Sequence, residues 1–136
     1  MISRRALLSS AAAAAVQGAA ARPNFIVFLS DDHGSRDLGC NGATDVRTPN
    51  IDALAASGAR WTNWYANAPM CAPSRAGLMT GRYPIRCGVP SNGPALPPSE
   101  LTIAKLLKRQ GYNTGFFGKW HLRSDDQSCP HAPGFD

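Results

Sequence analysis

Asn24-Phe25-Ile26-Val27-Phe28-Leu29-Ser30-Asp31-Asp32 is the stretch that sets the expected fold. Its apolar residues are continuous rather than alternating. That pattern suits a strand covered on both faces, as in a parallel sheet, and not one with a solvated side. The paired aspartates then fall at the strand's carboxyl end. Two adjacent carboxylates repel, and a divalent cation with oxygen ligands, calcium or magnesium, resolves that repulsion. A solvated Asp-Asp turn is the plain alternative.

Working outward, Thr48 to Gly58 reads as a helix. Thr48 can cap it, Pro49 fits its first turn, Gly58 ends it, and Ile51, Leu54 and Ala55 share a face. Ala59 to Ala66 reads as an aromatic-rich strand whose Trp61, Trp64 and Tyr65 are expected in the core. Tyr83 to Pro98, rich in proline and glycine, reads as a surface loop. Ser99 is expected to cap a helix from Glu100 to Gln110, with Leu101, Ala104 and Leu107 inward and Gly111 as its stop. Asn113 to Phe117 follows as a short strand. Alternating strands and helices predict an α/β fold around a parallel sheet, with ligands beyond the carboxyl ends of the strands.

Two further stretches carry chemistry. Cys71-Ala72-Pro73-Ser74-Arg75, continuing to Thr80-Gly81-Arg82, reads as a thiol placed just before a short helix. Pro73 loses nothing by lacking an N–H in the first turn, and Gly81 suits the left-handed residue after the last. Free backbone N–H groups, the helix dipole and Arg75 would draw anions to Cys71 and favour its thiolate. An ordinary buried cysteine beside a capped helix is the bland reading. Gly118-Lys119-Trp120-His121 lies at another expected strand end. In extended chain Lys119 and His121 leave on the same side, a pairing suited to an anion or to the hydroxyls of a nucleophile. His33 and His131 are given no role.

Cys-x-Pro-Ser-Arg with Thr-Gly-Arg resembles the sulfatase signature, and every position of it is filled. Asp31-Asp32 and Gly118-Lys119-Trp120-His121 match further motifs of that family in order. The resemblance implies a parallel-sheet sandwich of alkaline-phosphatase/sulfatase type, truncated here. It implies that Cys71 is converted by a formylglycine-generating enzyme into formylglycine. By the same resemblance Asp31, Asp32 and modified Cys71 bind calcium, Arg75 holds the modified residue, and Lys119 and His121 orient its hydroxyls. The substrate would be a sulfate ester, aryl or carbohydrate. The likeness covers Pro23 to Asp136, the N-terminal part of such an enzyme, so the expected state is a fragment with an incomplete metal shell.

The 136 residues allow at most one domain, and 43% apolar with 17% charged residues is ordinary for a globular protein. Residues 1–21 read as an export segment: Arg4-Arg5, an alanine-rich run, then Ala19-Ala20-Ala21. Twin-arginine and general secretory routes both suit it, and a transit peptide is the weaker alternative. The resemblance implies that residues 22–136 are the N-terminal part of a catalytic domain. Export would be to the periplasm, the cell exterior or the secretory and lysosomal route. The run is too short for a membrane-spanning helix, so no stable membrane insertion is expected. A net charge of +5, or +3 once Arg4 and Arg5 leave with the segment, fits an anionic substrate. No basic, aromatic-interleaved patch argues for nucleic acid.

Cys40, Cys71, Cys87 and Cys129 would allow two disulfides in an exported protein, or one if Cys71 is converted. Two other functions stay open: hydrolysis of phosphate or phosphonate esters in the same superfamily, and a secreted anion- or metal-binding remnant without turnover.

Overall fold

A computed structural model describes residues 22–123 and 134–136. The export segment, Asp125-Asp126, Cys129 and His131 lie outside the described residues. The chain divides into two compact units, Met1–Ser30 and Asp31–Asp136.

In the first unit, residues 22–30 form neither helix nor strand, and the side chains of Phe25 to Leu29 are exposed. The expected buried strand is not there. A strand needs neighbours to take its N–H and C=O groups, and no strand occurs among the described residues. The same reason removes the strands expected at 59–66 and 113–117. Trp61, Trp64 and Tyr65, expected in the core, are 72%, 76% and 79% exposed.

The second unit carries a single turn of 3-10 helix, Gly39–Asn41, and three α-helices: α1 (Pro49–Ser57), α2 (Cys71–Thr80) and α3 (Ile103–Arg109). Thr48 does not cap α1. Its Oγ1 accepts from the Gly39 N–H (2.8 Å) and donates to Asp52 Oδ1 (2.9 Å), which also accepts from the Cys40 N–H (2.7 Å). Those bonds tie α1 to the 3-10 turn. The apolar face of α1 stays largely open, since Ile51 and Leu54 are exposed.

Helix α2 sits where the sequence puts it. Gly81 is left-handed (φ 66°) and its N–H closes on Gly77 O at 2.8 Å. Ala72 and Ala76 are fully buried. Gly77 is dictated by closeness: a Cβ there would stand 1.6 Å from Asn67 Nδ2.

Helix α3 starts later than expected, after Thr102, whose side chain accepts from the Lys105 N–H. Pro97 and Glu100 close a turn of their own (Glu100 N to Pro97 O, 3.0 Å). Lys105 Nζ donates to the carbonyls of Pro98 (2.6 Å) and Glu100 (3.0 Å), which fastens that turn ahead of the helix. Arg82 holds the Glu100 carboxylate at 2.6 and 2.8 Å.

The core lies between α2, the 83–99 loop and the 114–122 segment: Ala72, Ala76, Cys87, Val89, Leu96, Trp120 and Leu122. The loop expected at the surface therefore supplies Cys87, Val89 and Leu96 to the interior. Phe116, Trp120 and Phe135 form a ring cluster at its edge, with centroids 5.1 to 6.0 Å apart. Asp136 fastens the tail: its Oδ2 accepts from the Thr114 N–H (2.7 Å), and its carboxylate pairs with Lys108. No helix of the described residues is long and apolar enough to cross a membrane.

Candidate active site

Cys71 is the first residue of α2, and Asp31 and Asp32 open the second unit. Donor atoms of Asp31, Asp32 and Cys71 all lie within 4.8 Å of one another, although 39 residues separate Asp32 from Cys71. Cys71 Sγ is 4.0 Å from Asp32 Oδ1. Arg75, one turn along α2, is buried and reaches two ways. One guanidinium nitrogen donates to Asp31 Oδ1 at 3.1 Å, the other to Lys119 O at 2.6 Å. Lys119 Nζ closes on Asp31 Oδ2 at 2.7 Å. A helix, the aspartate pair and the Lys119 segment thus meet around one carboxylate.

The electrostatics follow from these contacts. The Lys119 ammonium, and then the Arg75 guanidinium, hold the Asp31 carboxyl below its ordinary value of 3.8. Asp31 in turn raises Lys119 above its ordinary 10.5. The repulsion expected between Asp31 and Asp32 is met here by two cationic side chains on Asp31.

Two site positions have backbone that side chains rarely adopt: Asp32 at φ 53° and His121 at φ 59°. Asp and His tolerate the left-handed region better than most residues, and such strain collects at functional positions. At His121 it also corrects the expected geometry. The chain is not extended there, so strand alternation does not set the relation of Lys119 to His121. His121 Nδ1 and Trp120 Nε1 are buried and without partners among the described residues.

The helix start differs from expectation as well. The Ala72 N–H, expected free, donates to Asn92 Oδ1 at 3.0 Å. The sequence carries a faint signal for this, because Met70 precedes α2 and offers no side-chain acceptor.

The donor set fits a hard divalent cation in part. Two carboxylates suit calcium, whereas the Cys71 sulfur does not. An oxygen on residue 71 would complete a cluster of three oxygens out of the roughly six to eight that calcium takes. Cys40, Cys71 and Cys87 are free thiols, so no disulfide forms among the described cysteines.

A family model described as Sulfatase matches residues 23–136. The chain is 50% identical over 128 residues to steryl-sulfatase of Homo sapiens, with 83% of this chain and 22% of that protein covered. It is 47% identical over 125 residues to arylsulfatase A of Homo sapiens, covering 88% of this chain and 24% of the relative. Among solved structures it is similar to Ps i-CgsB, with a TM-score of 0.74 and 46% identity over 78% of this chain and 25% of that one. It is also similar to BT4656 in complex with its substrate D-glucosamine-2-N,6-O-disulfate, with a TM-score of 0.74, 39% identity and 78% and 22% covered. The chain thus spans about a quarter or less of the length of these relatives.

Proposed function

The chain belongs to the sulfatase family, and from that premise we propose that it carries the nucleophile-bearing part of a sulfuric ester hydrolase. The observation that supports this most is the cluster of Asp31, Asp32 and Cys71 within 4.8 Å, with Arg75 and Lys119 converging on Asp31. The proposed architecture is the α/β sandwich of the alkaline-phosphatase type, of which this chain contributes one portion.

In this reading a formylglycine-generating enzyme converts Cys71 to formylglycine; one hydroxyl of its hydrated form attacks sulfur and displaces the ester's alcohol, and the second then loses its proton as the sulfate leaves and the aldehyde re-forms. Asp31, Asp32 and the residue 71 oxygen would hold calcium, which would supply Lewis-acid chemistry there. Arg75 keeps the Asp31 carboxylate beside residue 71. Lys119 and His121 hydrogen-bond to the hydroxyls of residue 71, orient them and handle their protons. BT4656 acts on a sulfated glucosamine, and the relatives include arylsulfatase A. Carbohydrate and aryl sulfate esters are therefore both proposed as substrate classes. The proposal includes export by residues 1–21.

Mass spectrometry of the peptide carrying residue 71, from a host able to make formylglycine, is the test. An aldehyde at residue 71 is expected, and a thiol throughout would defeat the enzyme reading. Aryl sulfate, phosphate and phosphonate esters assayed side by side then report the element at which the site acts.

A further inference from the structure

We propose that Asn92 is a positioning residue for residue 71, acting from a loop that braces both halves of the candidate site. This rests on the reading of residue 71 as the reactive position.

A helix start leaves backbone N–H groups without intrahelical partners, and the residue before the helix normally covers one of them with a side-chain oxygen. Met70 cannot. Pro73 has no N–H to satisfy, and the Ser74 N–H is already on Met70 O at 3.0 Å. Cys71 and Ala72 remain. Asn92 takes the Ala72 N–H at 3.0 Å, on the nitrogen bonded directly to the Cys71 carbonyl carbon. The Cys71 N–H is then the first-turn donor left open among the described residues, at the residue where the chemistry is proposed.

The loop is able to hold this contact. Val89 and Leu96, on either side of Asn92, are buried in the core. The Leu96 N–H donates to Leu122 O at 3.2 Å, next to His121. Arg82 and Glu100 close the loop at its base. One short segment therefore touches the Cys71 helix through Asn92 and the Lys119–Leu122 segment through Leu96. Asn92 does not need to meet substrate to matter. Its side chain keeps the first turn of α2 wound, and that turn fixes the residue 71 side chain beside Asp32.

The test uses the whole chain with Cys71 left as a thiol. Iodoacetamide labelling of Cys71 is followed by peptide mass spectrometry, and amide exchange at Ala72 by NMR. Asn92→Ala is expected to speed Ala72 exchange and Cys71 labelling by roughly fivefold, the loss of one cap. Asn92→Asp keeps the acceptor oxygen and should return both rates to the wild-type value or below. Thr102→Ala removes a cap from α3 and lowers stability, yet should leave Cys71 labelling unchanged. Fast labelling in Thr102→Ala, or an unchanged rate in Asn92→Ala, would overturn the proposal. Should Asn92→Ala not fold, the wild-type protein still decides: an Ala72 amide that exchanges as fast as that of Cys71 sinks the idea. Failure to find an aldehyde at residue 71 leaves these outcomes untouched, so the two failures are distinguishable.

Discussion

Asp32 and His121 show why a motif is legible in sequence while its geometry is not. Residue type and neighbourhood single both out, yet both sit at positive φ, which no pattern of apolar and polar residues encodes. The consequence is testable at Asp32, where conformation and charge can be separated. Asn tolerates the left-handed region about as well as Asp, whereas a β-branched residue pays roughly 1–2 kcal/mol there. Asp32→Asn is expected to keep its melting temperature and lose the proposed calcium binding; Asp32→Val should lose both, as read by thermal melts and calorimetric titration. The ion pairs of Asp31 set a second expectation. Its folded pKa lies below 3.8, so its contribution to stability is present above that pH and fades as pH falls through the folded value. Lys119 lies above 10.5, so its share holds below 10.5 and fades as pH rises through the folded value. Denaturant midpoints of Asp31→Asn should therefore fall short of wild type between these limits and converge with it at low pH.

At the scale of elements, helices announced themselves and strands misled. Pro49, Gly81 and the Cys71 stretch mark helix ends by local chemistry, and α1 and α2 form where that chemistry puts them. Helix α3 shows the limit of local signals. Ser99 and Thr102 are both acceptable caps, and the choice is made by Arg82 and Lys105, which hold Glu100 and the Pro98 carbonyl in a turn ahead of the helix. That decision is tertiary and invisible to a reading of the segment alone. Thr102→Ala should cost about 0.5–2 kcal/mol, a drop of several degrees in melting temperature for a domain of this size. Ser99→Ala should change little, since its hydroxyl is not the cap. Equal losses from the two would place the helix start at the earlier residue. The strand readings failed for a related reason. Phe25 to Leu29 have the composition of a buried strand, but a strand is defined by its neighbours, and none lies among the described residues.

For the whole molecule, the consequence is an uneven distribution of apolar surface. The core gathers around α2, the 83–99 loop and Trp120, while Phe25 to Leu29, Trp61, Trp64, Tyr65 and Phe117 lie open. Exposed large apolar side chains such as these favour association in water. The three tryptophans allow the partition to be read directly, because Trp61 and Trp64 are exposed and Trp120 is only 7% exposed. Acrylamide should quench the fluorescence in two components, an accessible one from Trp61 and Trp64 and a shielded one from Trp120. Phenylalanine at both exposed positions should leave the shielded component alone, with the thermal melt unchanged because neither ring supports the core. Lysine at the same two positions should go further and weaken self-association, measured by sedimentation at several concentrations, without loss of helical signal. The opposite outcome, quenching dominated by Trp120 or a collapse of the helices on replacing Trp61 and Trp64, would mean that the aromatic segment is a second core and that the molecule is organised around residues 59–66 rather than around the helix bearing Cys71.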